Sequence, residues 1–105
     1  MPNPYLIVLT TLPNRSKAKQ ISRLLLKKKL AACINTLGPV ESSFWWQGKI
    51  DRAKEYLLLI KTRAGYFNRL RHFLEKNHPY SIPEIVALPI EKGNLLYFDW
   101  IRKSI

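Results

Sequence analysis

Residues 40–62 read VESSFWWQGKIDRAKEYLLLIKT. Gln47-Gly48 sits between two runs rich in β-branched, aromatic and aliphatic residues, and this is the pattern of a tight two-residue turn joining antiparallel strands. Upstream, LAACINTL (30–37) has the same strand character, is interrupted by Gly38-Pro39, and is continued by VESSFWWQGKI. KEYLLLIKT (54–62) is the returning strand. The reading is one long hairpin.

Working outward, YLIVLTTL (5–12) is apolar on both alternating faces at its start, as in a central strand. Pro13 and Asn14 stop it, and Asn14 or Ser16 can cap the following helix. In that helix Ala18, Ile21, Ser22 and Leu25 share one face, with the lysines mostly opposite. GYFNRLRHFLEKN (65–77) is a second amphipathic helix, with Tyr66, Leu70, Phe73, Leu74 and Asn77 on one side. EIVALPI (84–90) is a short strand, and Pro89 makes it an edge strand or ends it. NLLYFDWIRKSI (94–105) is a last helix with Asn94 as cap and apolar residues on almost every side.

The order β-α-β-β-α-β plus a C-terminal helix predicts an α+β fold. Its antiparallel sheet would have the ferredoxin-like split βαβ arrangement, in a single domain over 1–105. Both central helices would then cover one sheet face and leave the other bare. Long edges and a bare apolar face are liabilities for a monomer, so the working unit is expected to be an oligomer.

The net charge is +11, and the first 40 residues hold seven basic side chains before the first acid, Glu41. Such a field attracts polyanions, but charge alone speaks to encounter and not to activity, and a solvated helix face is the preferred reading. A basic nucleic-acid-binding module on this topology would need a string of stacking aromatics on its third strand. EYLLLIKT offers only Tyr56, so nucleic acid is not an expected partner. The single cysteine, Cys33, suits a reducing cytoplasm. No stretch has the length of a membrane-spanning helix, and the N-terminus lacks the pattern of a signal peptide. Hydrolytic or nucleophilic catalysis has no motif here: there is no Gly-rich phosphate loop and no zinc-spaced cysteine set, so no enzymatic activity is expected.

Taken in order, LAACIN (30–35), FWWQGKI (44–50), Glu55, LLLIKT (57–62), HPYSIPEI (78–85) and YFDWI (97–101) resemble the CutA family of divalent-cation tolerance proteins, from about residue 6 to 104. The resemblance implies a cytoplasmic ferredoxin-like homotrimer, linked to metal-ion tolerance. It implies binding of copper or another divalent cation in some members, with no cofactor required. The trimer shape is also similar to signalling proteins of the PII type, an analogy of fold alone. A PII-like signalling or scaffolding trimer without metal is therefore the alternative.

His78 is the best single metal ligand by residue type. In copper-binding members the resemblance points to a cysteine at the end of the first strand and two consecutive histidines. Those positions hold Thr10, Asn77 and His78 here, and a hydroxyl and an amide are poor ligands for such a metal. A helix C-cap role for His78, its ring bonded to a backbone carbonyl, is the preferred reading. Cys33 is either a buried small hydrophobe or a thiolate ligand activated by a nearby cation such as Lys61. Trp46, Glu55, Lys61, Tyr80 and Trp100 match family motif positions. They would either line a ligand pocket between subunits or serve as interface anchors with a Glu55–Lys61 pair, the interface reading being preferred. Pro79 and Pro83 hold their neighbours extended, so that Tyr80 and Glu84 stand where a neighbouring subunit is expected.

Overall fold

A computed structural model describes residues 4–105. Strand β1 (Tyr5–Leu12) leads into helix α1 (Arg15–Lys27). The cap is Asn14: its side chain accepts from the Lys17 amide at 2.8 Å. This bond satisfies one of the free amides of the first turn, which carries no acid to complement the dipole. Of the expected inner face, Ala18, Ile21 and Leu25 are buried, while the Ser22 hydroxyl is buried without a hydrogen-bond partner among the described residues.

Strand β2 (Cys33–Trp46) begins three residues later than the sequence suggests, because Leu30 and Ala31 sink into the core first. Strand β3 (Lys49–Arg63) is longer than expected, extending through 49–53. At the tip Gln47 and Gly48 have φ of 50° and 79°, the left-handed pair of a hairpin turn whose twist matches the strands. The β2–β3 register slips between Leu37 and Val40. Gly38 is required there, since a Cβ would overlap the Tyr56 ring.

A short 3₁₀ turn (Ala64–Tyr66) precedes helix α2 (Phe67–Asn77). Leu70 and Leu74 are its buried residues; Asn77 faces solvent and donates to the Phe73 carbonyl at 2.9 Å, so it is not part of the inner face. Strand β4 (Val86–Pro89) lies at the sheet edge, and helix α3 (Leu95–Ser104) follows. Asn94 caps α3 without a side-chain hydrogen bond.

The sheet order is β2-β3-β1-β4 and every pairing is antiparallel. Period-two alternation sends Val8, Thr10, Leu12, Leu58, Ile60 and Thr62 to one face, where Ala18, Ile21, Leu25, Leu70 and Leu74 close the core over them. On the other face lie Ile7, Leu9, Leu57 and Leu59, all only half-buried. That face is not wholly bare, as the sequence had suggested. Helix α3 lies against one end of it, with Phe98 stacked on Tyr5 at 4.7 Å and Tyr66 donating to the Ile105 carbonyl at 2.6 Å. Only Ile101 of α3 is buried; Leu95 and Leu96 are each 82% exposed.

Candidate functional site

Two separate polar clusters emerge. The first is built where α2 ends. His78 leaves the helix with φ −74° and ψ 140°, the extended backbone that a following proline demands. Its amide donates to the Leu74 carbonyl at 2.8 Å. Its Nδ1 accepts from the Tyr80 amide at 3.1 Å, which fixes the hydrogen on Nε2. Nε2 donates to the Thr11 carbonyl at 2.9 Å, with the Thr10 hydroxyl at 3.2 Å. The bond to a backbone carbonyl is the one the C-cap reading expected, and the Tyr80 amide engages the second ring nitrogen as well.

Burial holds His78 below its ordinary value of 6.5, against the opposing pull of the Thr11 carbonyl and the Glu55 charge. The unfolded chain takes up this proton near 6.5 and the folded chain only at lower pH. Stability contributed by neutral His78 is therefore present above 6.5 and lost as pH falls through that value toward the folded one. The thermal midpoint is expected to drop between about pH 7.5 and about pH 5.5, and to drop less in His78→Asn, which cannot titrate. Equal drops in a thermal melt would remove His78 as a source.

Tyr80 extends this cluster to the hairpin. Its hydroxyl donates to Glu55 Oε2 at 2.6 Å, and Glu55 is buried on β3. Burial, then the Glu55 carboxylate, raises the Tyr80 phenol well above its usual value, so it stays protonated and donating. Glu55 has this one hydrogen-bond donor among the described residues. Tyr80→Phe is expected to destabilise the chain by about 1–3 kcal/mol, read from the urea midpoint. No change would mean that water replaces the hydroxyl.

The second cluster lies at the other end of β3, around Lys61. Cys33 and Lys61 are register partners across β2 and β3, as a thiol activated by a cation would require. The Lys61 ammonium, however, donates to the Asn35 carbonyl oxygen of the amide side chain. Burial, and after it the neighbouring Cys33 thiol, raises the Tyr97 phenol above its ordinary value.

The structure therefore divides the residues singled out in the sequence. Glu55 and Tyr80 come together with His78. Cys33 and Lys61 come together with Asn35 and Tyr97, so His78 and Cys33 do not share a site. The Glu55–Lys61 pair is not formed within the chain, since six residues of strand separate them by about 20 Å. Trp46 stands beside the hairpin turn, Trp100 stacks on Tyr97 at 5.6 Å between centroids, and Glu84 is exposed. Among the described residues no group of three His, Cys, Asp or Glu side chains is placed to hold a metal ion. The copper constellation does not fit the chemistry present: Thr10 and Asn77 bring a hydroxyl and an amide, and both His78 nitrogens are engaged. Thr11 escaped the sequence reading because its carbonyl meets His78 across 67 positions, a contact without a local signal. Asn35 had one, its place in LAACIN.

These features define a small α+β domain with a long hairpin, a helix-covered core face and an open apolar face. The chain belongs to the CutA1 divalent ion tolerance protein family, whose model matches residues 6–104. It is 42% identical over 98 residues to the divalent-cation tolerance protein CutA of Thermus thermophilus, covering 93% of this chain and 95% of that one. It is 41% identical over 101 residues to the chloroplastic protein CutA 1 of Oryza sativa subsp. japonica. The match covers 96% of this chain and 57% of that protein, and the chain likewise spans little more than half the length of the human and Arabidopsis relatives. The crystal structure of CutA1 from Oryza sativa superposes with a TM-score of 0.94 at 40% identity, covering 98% of this chain and 94% of that one.

Proposed function

We propose that the chain serves divalent-cation tolerance as a homotrimer of ferredoxin-like subunits. The observation that carries this reading is the half-buried face of Ile7, Leu9, Leu57 and Leu59, extended at its margins by exposed Leu37, Val86 and Leu88. The hairpin adds Phe44, Trp45, Trp46 and Ile50, all exposed, with Trp45 at 73%. Each fully buried aliphatic or aromatic side chain is worth about 1.5–3 kcal/mol, and a stable interface needs about 800 Å² per partner. Subunits related by a three-fold axis would bury this face at the centre and give each hairpin a neighbour. Cross-linking of the dilute chain is expected to trap a three-chain species and nothing larger. A ladder of unlimited size, or monomer alone, would contradict it.

The engaged His78 ring favours a metal-free form of the assembly, a signalling or scaffolding trimer of the PII shape. In this reading copper and zinc are weakly held ligands and not resident cofactors, and Cys33 and His78 act separately. Calorimetry with Cu(II) and Zn(II) is expected to give equally weak heats for the unaltered chain and for His78→Ala. A strong heat abolished by the substitution would restore a site there. Trp46, Trp100 and Glu84 are read as interface residues, and catalysis forms no part of the proposal. The lone cysteine supports a reducing, cytoplasmic setting. Cell fractionation tests this.

A further inference from the structure

The helical layer carries one specific basic groove. Lys27, Lys28 and Lys29 close α1, and Lys29 takes a left-handed φ of 56° to turn the chain back into the core at Leu30. Lys28 is thereby carried over the Phe73 ring of α2, its Nζ 5.8 Å from the centroid. Along α2, Arg69, His72, Phe73 and Lys76 recur at i, i+3, i+4 and i+7, one stripe beside the buried Leu70–Leu74 face. Lys28, Leu30, Arg69, His72, Phe73 and Lys76 line a single shallow groove, and no acid is among its walls.

The only acid on either helix is Glu75, and it pairs with Arg71 at 2.8 Å. Lys28, Arg69 and Lys76 have no ion-pair partner among the described residues. Three cations without a counter-ion around one groove, Arg69 among them with its guanidinium 4.5 Å from the Tyr66 ring centroid, repel each other, and an anion would relieve that repulsion. From Arg69 to Lys76 the stripe runs about 10 Å, at 1.5 Å per residue. This is the reach of a short chain of phosphoryl groups, longer than one phosphate. The floor of Leu30 and Phe73 offers a single phenyl ring, too little to stack a series of bases.

We propose that this groove binds an oligophosphate, with Arg69 and Lys76 gripping successive phosphoryl groups and Lys28 closing from α1. The ligand chemistry is the phosphoryl chain itself, whether inorganic or carried on a nucleoside. The groove lies on the helical layer, remote from the open sheet face, so each subunit holds one and the proposal does not depend on the trimer.

Calorimetry of the full chain at low salt, with inorganic tripolyphosphate and separately with ATP, tests it. Binding is expected to weaken at least tenfold in the Arg69→Gln, Lys76→Gln double variant. It is expected to change less than twofold in Lys17→Gln, Lys19→Gln, which removes the same charge elsewhere on the layer. Equal affinity of both probes would assign the site to the phosphoryl chain, and tighter ATP to a nucleotide. Equal loss in the two double variants, or preference for duplex DNA over both probes, would mean a diffuse polyanion surface and overturn the groove. So would absence of binding. All four substituted side chains are outside the core, and circular dichroism checks that both variants fold.

Discussion

Leu9→Asp is expected to reduce the particle from about three chain masses to one of 12.3 kDa. Leu9 sits mid-face, with Leu59 and Val86 as its register partners on either side. In a single chain the position is half-buried, so a carboxylate there keeps much of its water and the fold survives. In an assembly the same carboxylate is stripped of water opposite apolar side chains. The effective penalty is several kcal/mol per ion, and three copies would face one axis. Even about 3 kcal/mol per interface weakens association by more than 100-fold. Leu9→Ala, which leaves no charge, is expected to keep the larger mass. A three-chain mass for Leu9→Asp would place the interface elsewhere.

Leu58→Ala is expected to cost about 2–5 kcal/mol of folding stability. Leu58 is fully buried on the helix-facing side, between register partners Thr10 and Thr36, beneath the packed faces of α1 and α2. Those neighbours belong to different elements and cannot collapse together onto the missing volume, so the cavity term adds to the transfer term. Against a total of about 5–15 kcal/mol for a domain, this is a large fraction. Urea unfolding at fixed protein concentration reads it, because assembly adds a concentration-dependent share. A loss under about 1 kcal/mol would mean that the core is looser than its burial indicates.

The hairpin, both central helices and the edge strand were legible because each carries its own local signal. Gln47-Gly48 marks the turn, Asn14 the cap, and Pro89 the edge. The errors fall where tertiary packing overrides local pattern. Leu30 and Ala31 look like the start of β2 but are drawn into the core. Helix α3 reads as apolar on all sides, yet nothing local tells that Phe98 seeks Tyr5 or that Tyr97 lies by Cys33. The candidate residues were legible as a set of types, not as places. Their spacing put Glu55 and Lys61 on one strand, but only the fold shows Tyr80 claiming Glu55 and Asn35 claiming Lys61. His78 was readable as a cap from the proline after it. Its hold on β1 was not, because that bond joins segments far apart in the chain.

Everything proposed about tolerance, interface tryptophans and weakly held metal rests on the open sheet face being covered by further copies of the chain. Light scattering of the purified chain over a dilution series measures this directly. A mass of about three times 12.3 kDa that persists on dilution is the expected result, and a constant mass near 12.3 kDa would contradict it.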